Sequence, residues 1–182
     1  MMGLKELLYS DLARQYELEG RIDLRPSFLG LLNRLLHFRF LPNVLCRASR
    51  SAMLSNIPVV PQLLTYANLV LFGLEVTPKC EIGPGIFFAH PVGTVIGASR
   101  VGTNVTVFQG VTLGSKQPDM KFDPTLRPRI GNNVMLGTGC KVLGGIQIGD
   151  NVTVGANSVI LNSVEPNQTV FGVPAKERPS SA

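Results

Sequence analysis

Charge is scarce in this chain of 182 residues: Asp, Glu, Lys and Arg together make up 16%. No dense Lys/Arg run occurs, and aromatic and basic residues do not interleave, which argues against a nucleic-acid partner. The low charge is not the mark of a disordered chain, because 45% of the residues are hydrophobic and can build a core. Cysteine is limited to positions 46, 80 and 140, an odd number in which no pair has metal-ligand or redox spacing. A disulfide framework and a metal site are therefore not expected, and the thiols read as reduced and mostly buried in a cytoplasmic protein. The first twenty residues carry Glu and Asp early and hold no long apolar core, so they do not read as a signal peptide.

Long hydrophobic runs are also missing, with one near exception. No charged residue falls between Arg50 and Glu75, and Ile57 to Leu74 approaches the length of a membrane span. Pro58, Pro61, Gln62, Thr65 and Asn68 interrupt it, and polar groups are costly in hydrocarbon. The expectation is a helix buried against the protein or at a subunit contact. Peripheral contact with the inner face of a membrane through 51–74 is a further expectation, because Arg47 and Arg50 lie just before it. The net charge of +5 is mild and spread over both halves, which suits a polyanionic small molecule better than DNA.

What the chain does have is a change of period near residue 76. Before it, apolar residues recur at helical spacing: Leu4, Leu7, Leu8 and Leu12, then Phe28, Leu31, Leu32, Leu35 and Leu36. Pro26, Pro42, Pro58 and Pro61 punctuate this segment, and Asp11 and Asp23 are placed on or near helix ends. About four packed helices are predicted over 1–75. After residue 76 the period is six. Val101, Val107 and Leu113 form one run, and Ile130, Leu136, Val142, Ile148, Val154 and Ile160 form another. Glycine often follows, and a small or branched residue stands four positions on, as at Val105, Val134, Cys140 and Ser158. A strand this short cannot bury its apolar side alone, so three must make a triangular coil and the coils must stack. The predicted fold is mainly β, a parallel β-helix over 76–182 behind an N-terminal helical segment. Two interruptions mark candidate site regions: the slip of spacing around His90, and the polar insertion 115–129, which must project from the coils.

His37 and His90 are the two histidines. His37 lies in an apolar stretch and reads as a helical packing residue. His90 stands where the repeat slips. The segments GPGIFFAHPVGTVIGA, VTVFQGVTLGS and LRPRIGNNVMLGTGCKVLGGIQIGDNVTVGANSVIL, with the closing VFGVPAK, resemble the serine O-acetyltransferases and their relatives in polysaccharide biosynthesis. The resemblance implies a left-handed β-helix, a homotrimer, and acetyl-CoA as co-substrate between neighbouring subunits, with no metal. It also implies that His90 is the general base and that Glu75, at the position of the family's Asp, orients it. Gly114, Gly137, Gly155 and Ala156 fall where the pantetheine arm approaches the backbone, and Lys176 falls near the cofactor phosphates.

Two departures bear on the acceptor. The family carries Asp directly before the catalytic histidine, where this chain has Ala89. It carries Arg-His before the proline of the loop, where this chain has Leu126 and Arg127. The resemblance assigns the lost Asp and Arg to the amino and carboxylate groups of serine, and a zwitterion without counter-charges binds poorly. The expectation is therefore acetyl transfer to a neutral sugar hydroxyl in polysaccharide or exopolysaccharide biosynthesis, with Arg127 and Ala89 lining the acceptor site. Serine O-acetylation and a non-catalytic scaffold are the alternatives.

Overall fold

The computed structural model describes residues 2–35 and 37–177; Leu36 of the helical pattern and the tail from 178 on lie outside the described residues. Four helices come first: α1 (Leu4–Leu18), α2 (Phe28–Arg34), α3 (Leu41–Leu54) and α4 (Val60–Phe72). Strand β1 (Leu74–Val76) begins two residues later, so Glu75 belongs to the first strand and not to the helices. Then follow β2 (Glu81–Ile82), β3 (Phe87–Phe88), β4 (Thr94–Ile96), β5 (Arg100–Val101), β6 (Thr106–Val107) and β7 (Thr112–Gly114). After the insertion come β8 (Arg129–Ile130), β9 (Met135–Leu136), β10 (Lys141–Leu143), β11 (Gln147–Ile148), β12 (Thr153–Val154) and β13 (Val159–Ile160). The last two are β14 (Thr169–Gly172) and β15 (Ala175–Glu177).

These strands form three sheets in the orders β1-β4-β7-β10-β13, β2-β5-β8-β11 and β3-β6-β9-β12-β14-β15, parallel throughout except for the closing β14–β15 pair. The chain thus visits three faces in turn, as the period of six requires. The register stacks like on like: Val101 on Ile130 on Ile148, Val107 on Leu136 on Val154, Leu113 on Val142 on Ile160. All nine are buried, as are Val105, Val134, Cys140 and Ser158 of the second column. Burying each such aliphatic contributes roughly 1.5–3 kcal/mol, which is why a two-residue strand holds its place only inside the stack. Ser158 tolerates the core because its Oγ accepts from the Gly172 amide at 3.1 Å.

The corners explain the small residues. At the corner before sheet three, Gly85, Asn104, Asn133 and Asn151 have positive φ, a conformation that favours Gly and Asn. The Asn133, Asn151 and Asn167 amides form a ladder, with bonds of 3.1 and 2.9 Å. The glycines that follow the column aliphatics serve a different purpose from turning. A Cβ on Gly102 would lie 2.4 Å from the Gly131 carbonyl oxygen, and one on Gly137 would lie 2.6 Å from that of Val154. They are small because the next coil lies against them.

One buried ion pair docks the helices onto the β-helix. Asp11 sits in the middle of α1, not at its end, and is wholly buried. It accepts from Arg47 Nε and Nη2 at 3.0 and 2.9 Å, from Asn43, and from the amides of Gly85 and Ile86. Arg47 also donates to the carbonyls of Ile82 and Gly83, and Arg50 to those of Pro78 and Cys80. These two arginines therefore face inward, and the charges that would draw 51–74 to a lipid surface are occupied. Two polar residues of that stretch also turn inward, while Gln62 is exposed: Asn68 donates to the Pro42 carbonyl, and Thr65 meets Ser49 of α3, which donates to the Pro61 carbonyl. Among the described residues no helix is long and apolar enough to cross a membrane.

Candidate active site

His90 is exposed because the chain has two extra residues at its corner. Phe88 pairs with Val107 and Val95 with Thr112, so seven steps separate Phe88 from Val95 where five suffice one coil later. The surplus throws His90 and Val92 outward, with Pro91 buried between them. It is pinned by the Ala89 amide on the Val107 carbonyl at 2.9 Å and the Gly93 amide on the Gly73 carbonyl at 2.9 Å. The slip in the sequence is this bulge.

Register places the predicted site residues on two corners. Counting from the paired strands, Gln109, Thr138 and Ala156 follow His90 down one corner, with Gly137 and Gly155 beside them. Lys176 is exposed on β15 at the end of that stack, paired with Phe171 of β14. Gly114 ends β7 at the next corner, where the insertion leaves. The three glycines differ. Gly137 and Gly155 are required by packing, since a Cβ on Gly155 would meet that of Phe171 at 2.8 Å. Gly114 faces open space within 4 Å, so packing does not demand its smallness.

Glu75 points outward from β1, exposed, two residues beyond the Gly73 that holds the His90 bulge. Among the described residues no hydrogen bond or ion pair joins the two side chains within one chain. Arg127 lies at the far edge of β4 from His90, and its guanidinium builds the insertion. Nε donates to Asp119 at 2.8 Å, Nη2 to the Asp119 carbonyl at 3.0 Å and Nη1 to the Gly97 carbonyl at 2.9 Å, with the Phe122 ring 4.2 Å away. Against the opposing desolvation, the Arg127 hydrogen bond and the Asp123 amide hold the Asp119 carboxyl below its ordinary value. Leu126 is exposed in the 3-10 turn Pro124–Leu126.

His90 and Ala89 line a cavity of about 480 Å³ between α1 and the third sheet. The facing wall carries Arg14 and Gln15 of α1, Glu19 just past its end, and Arg39 of the turn before α3. Sequence reasoning did not single out these four. Arg14 and Glu19 read as charges at the end of α1, which usually means a solvated surface, and Arg39 stands in a turn with no periodic signal. Glu19 is held by both Nη groups of Arg34, at 2.8 and 2.5 Å, which keeps its carboxyl below the ordinary value. His37 sits in the same turn, outside any helix, stacked on Phe38 at 5.0 Å between ring centroids. The cysteines are free, and burial pushes all three thiols up to about 12, which suits packing rather than catalysis. Among the described residues no group of three or more His, Cys, Asp or Glu could hold a metal ion.

Residues 127–162 match the family model "Bacterial transferase hexapeptide (six repeats)", in keeping with the period of six and the stacked coils. The chain is 34% identical over 163 residues to a serine acetyltransferase of Helicobacter pylori, covering 88% of this chain and 94% of that one. The chain belongs to the serine acetyltransferase family. It is also 44% identical over 122 residues to the serine acetyltransferase of Synechococcus elongatus, covering 66% of this chain but only 49% of that longer one. Neisseria gonorrhoeae serine acetyltransferase in complex with serine superposes with a TM-score of 0.79 at 28% identity, covering 95% of this chain and 68% of that one. A serine acetyltransferase in complex with CoA gives a TM-score of 0.81 at 28% identity, covering 96% and 69%. The polysaccharide-biosynthesis relatives expected beside them find no support in these matches.

Proposed function

We propose that the protein is an acetyl-CoA-dependent O-acetyltransferase whose acceptor is serine. The observation that carries the reading is His90, exposed on a corner bulge, in a chain whose family likeness spans nearly the whole length of the Helicobacter pylori relative. The imidazole takes the proton of the acceptor hydroxyl as its oxygen attacks the thioester carbonyl carbon. The resulting oxyanion is met by backbone N–H groups. Its collapse breaks the C–S bond, and the CoA thiolate leaves with the proton carried by His90. Acetyl-CoA lies between neighbouring subunits, along the corner below His90 of one and past Gly114 on the next corner of the other, where Gly114 admits the pantetheine arm and Lys176 meets a phosphate as a point charge. Gly137, Gly155 and Ala156 give the coils their spacing there. Glu75 positions His90 in the trimer, and Arg127 holds the insertion in shape rather than the acceptor.

The neutral sugar acceptor is the second reading, favoured by Ala89 and Leu126. It weakens because the helical segment brings cations to the His90 cavity that the repeat motif does not contain. The experiment is CoA release by the purified protein with acetyl-CoA and either L-serine or a panel of neutral glycosides. Serine-dependent release is expected. Release with a glycoside but not with serine would overturn the serine assignment.

A further inference from the structure

Arg39 is half-buried and lines the cavity that holds His90. Among the described residues none of its side-chain nitrogens makes a hydrogen bond, and Nε is buried without one. The Phe38 ring lies 5.1 Å from the guanidinium carbon. The placement is nevertheless built. The buried Gln15 of α1 donates to the Arg39 carbonyl at 2.8 Å, and the adjacent Phe40 is fully buried against Leu12 and Tyr16. A planar fork of five donors with no acceptor, in the same cavity as an exposed histidine, matches an anion, and a carboxylate can meet the fork through two parallel hydrogen bonds.

Charge balance in the cavity points the same way. Arg14 is paired with Glu17 at 2.7 Å, and Glu19 is taken up by Arg34, so Arg39 is the cation left over. Ala89, buried in the same wall, provides no acid to neutralise it. We infer that Arg39 is the specificity-determining residue that takes the carboxylate of the acceptor, in place of the loop arginine that Leu126 replaces. This rests on the serine reading, and it explains how a chain lacking the family's loop cation still holds a charged acceptor.

The test compares L-serine with serinamide, which keeps the hydroxyl and amine but has no carboxylate. Wild type should prefer serine. Arg39→Met should raise KM for serine by about tenfold to a hundredfold, the range for losing a charge-assisted hydrogen bond, with kcat changed far less. KM for serinamide and affinity for acetyl-CoA should stay near wild type, which shows that the fold is intact. Arg39→Lys keeps the charge without the fork and should recover part of the preference. If wild type acetylates serine and Arg39→Met keeps the same preference over serinamide, the assignment to Arg39 is overturned and the serine reading stands. If wild type transfers acetyl to no carboxylate-bearing alcohol, both are overturned.

Discussion

At the scale of single residues, two side chains bear the most weight, and they fail differently. His90 is exposed, and among the described residues of one chain its side chain makes no hydrogen bond, so its loss should cost chemistry and not stability. His90→Ala is expected to lower kcat by about a hundredfold or more while acetyl-CoA affinity and melting temperature stay near wild type. A variant that keeps wild-type turnover would end the general-base assignment. Asp11 is the opposite case. Burial pushes its carboxyl up, against the pull of Arg47, Asn43 and the Gly85 amide, and the pair exists only because the helices and the first coil meet there. Asp11→Ala leaves Arg47 buried without its counter-charge, and should cost about 3–5 kcal/mol in a denaturant titration. The double change Asp11→Leu with Arg47→Met should be much less harmful, since no lone charge remains. His90 was legible in the sequence as the point where the repeat slips. The pairing of Asp11 with Arg47 was not, because residues 36 positions apart are joined only by the packing of α1 on α3.

At the scale of elements, the coils and the insertion are held by different forces. Each coil is short and draws its stability from the columns above and below, so its sequence must repeat and can be read. The insertion at 115–128 has no column. Its shape depends on Arg127 bridging Asp119 and the Gly97 carbonyl, and on Lys79 donating to the Lys121 carbonyl. Asp119 is held below its ordinary value in the folded state. Its contribution is therefore present above the ordinary carboxylate range and is lost as pH falls through the lowered value. Amide exchange in 119–127 should rise in that acid window before exchange in the β-helix does. Asp119→Asn should show fast exchange in the loop already at neutral pH. A loop that stays equally protected in the variant would show that the ion pair does not hold it. Arg127 was expected at the acceptor; its charge was legible in the sequence, and only the fold showed that two of its donors are committed to Asp119 and one to the Gly97 carbonyl.

At the scale of the whole molecule, the unmatched surface is apolar. Leu63, Tyr66, Val70 and Leu71 of α4 are each at least 60% exposed, a patch suited to a subunit contact. We propose a homotrimer, and light scattering should give about three times the 19.6 kDa of one chain. A monomer mass at assay concentration would overturn it, and with it the positioning of His90 by Glu75 across the assembly. The sequence by itself determined the β-helix, its buried columns and the place where His90 leaves them. Those follow from a period that each strand must obey locally to bury its apolar side. It did not determine which helix docks where, or which charges meet His90. Arg39 lies 51 positions before His90, in a turn with no periodic signal, and only the packing of α1 and Phe40 carries it to the cavity. The polarity of that cavity is therefore a tertiary property, because a charge acts through the space around it and not along the chain.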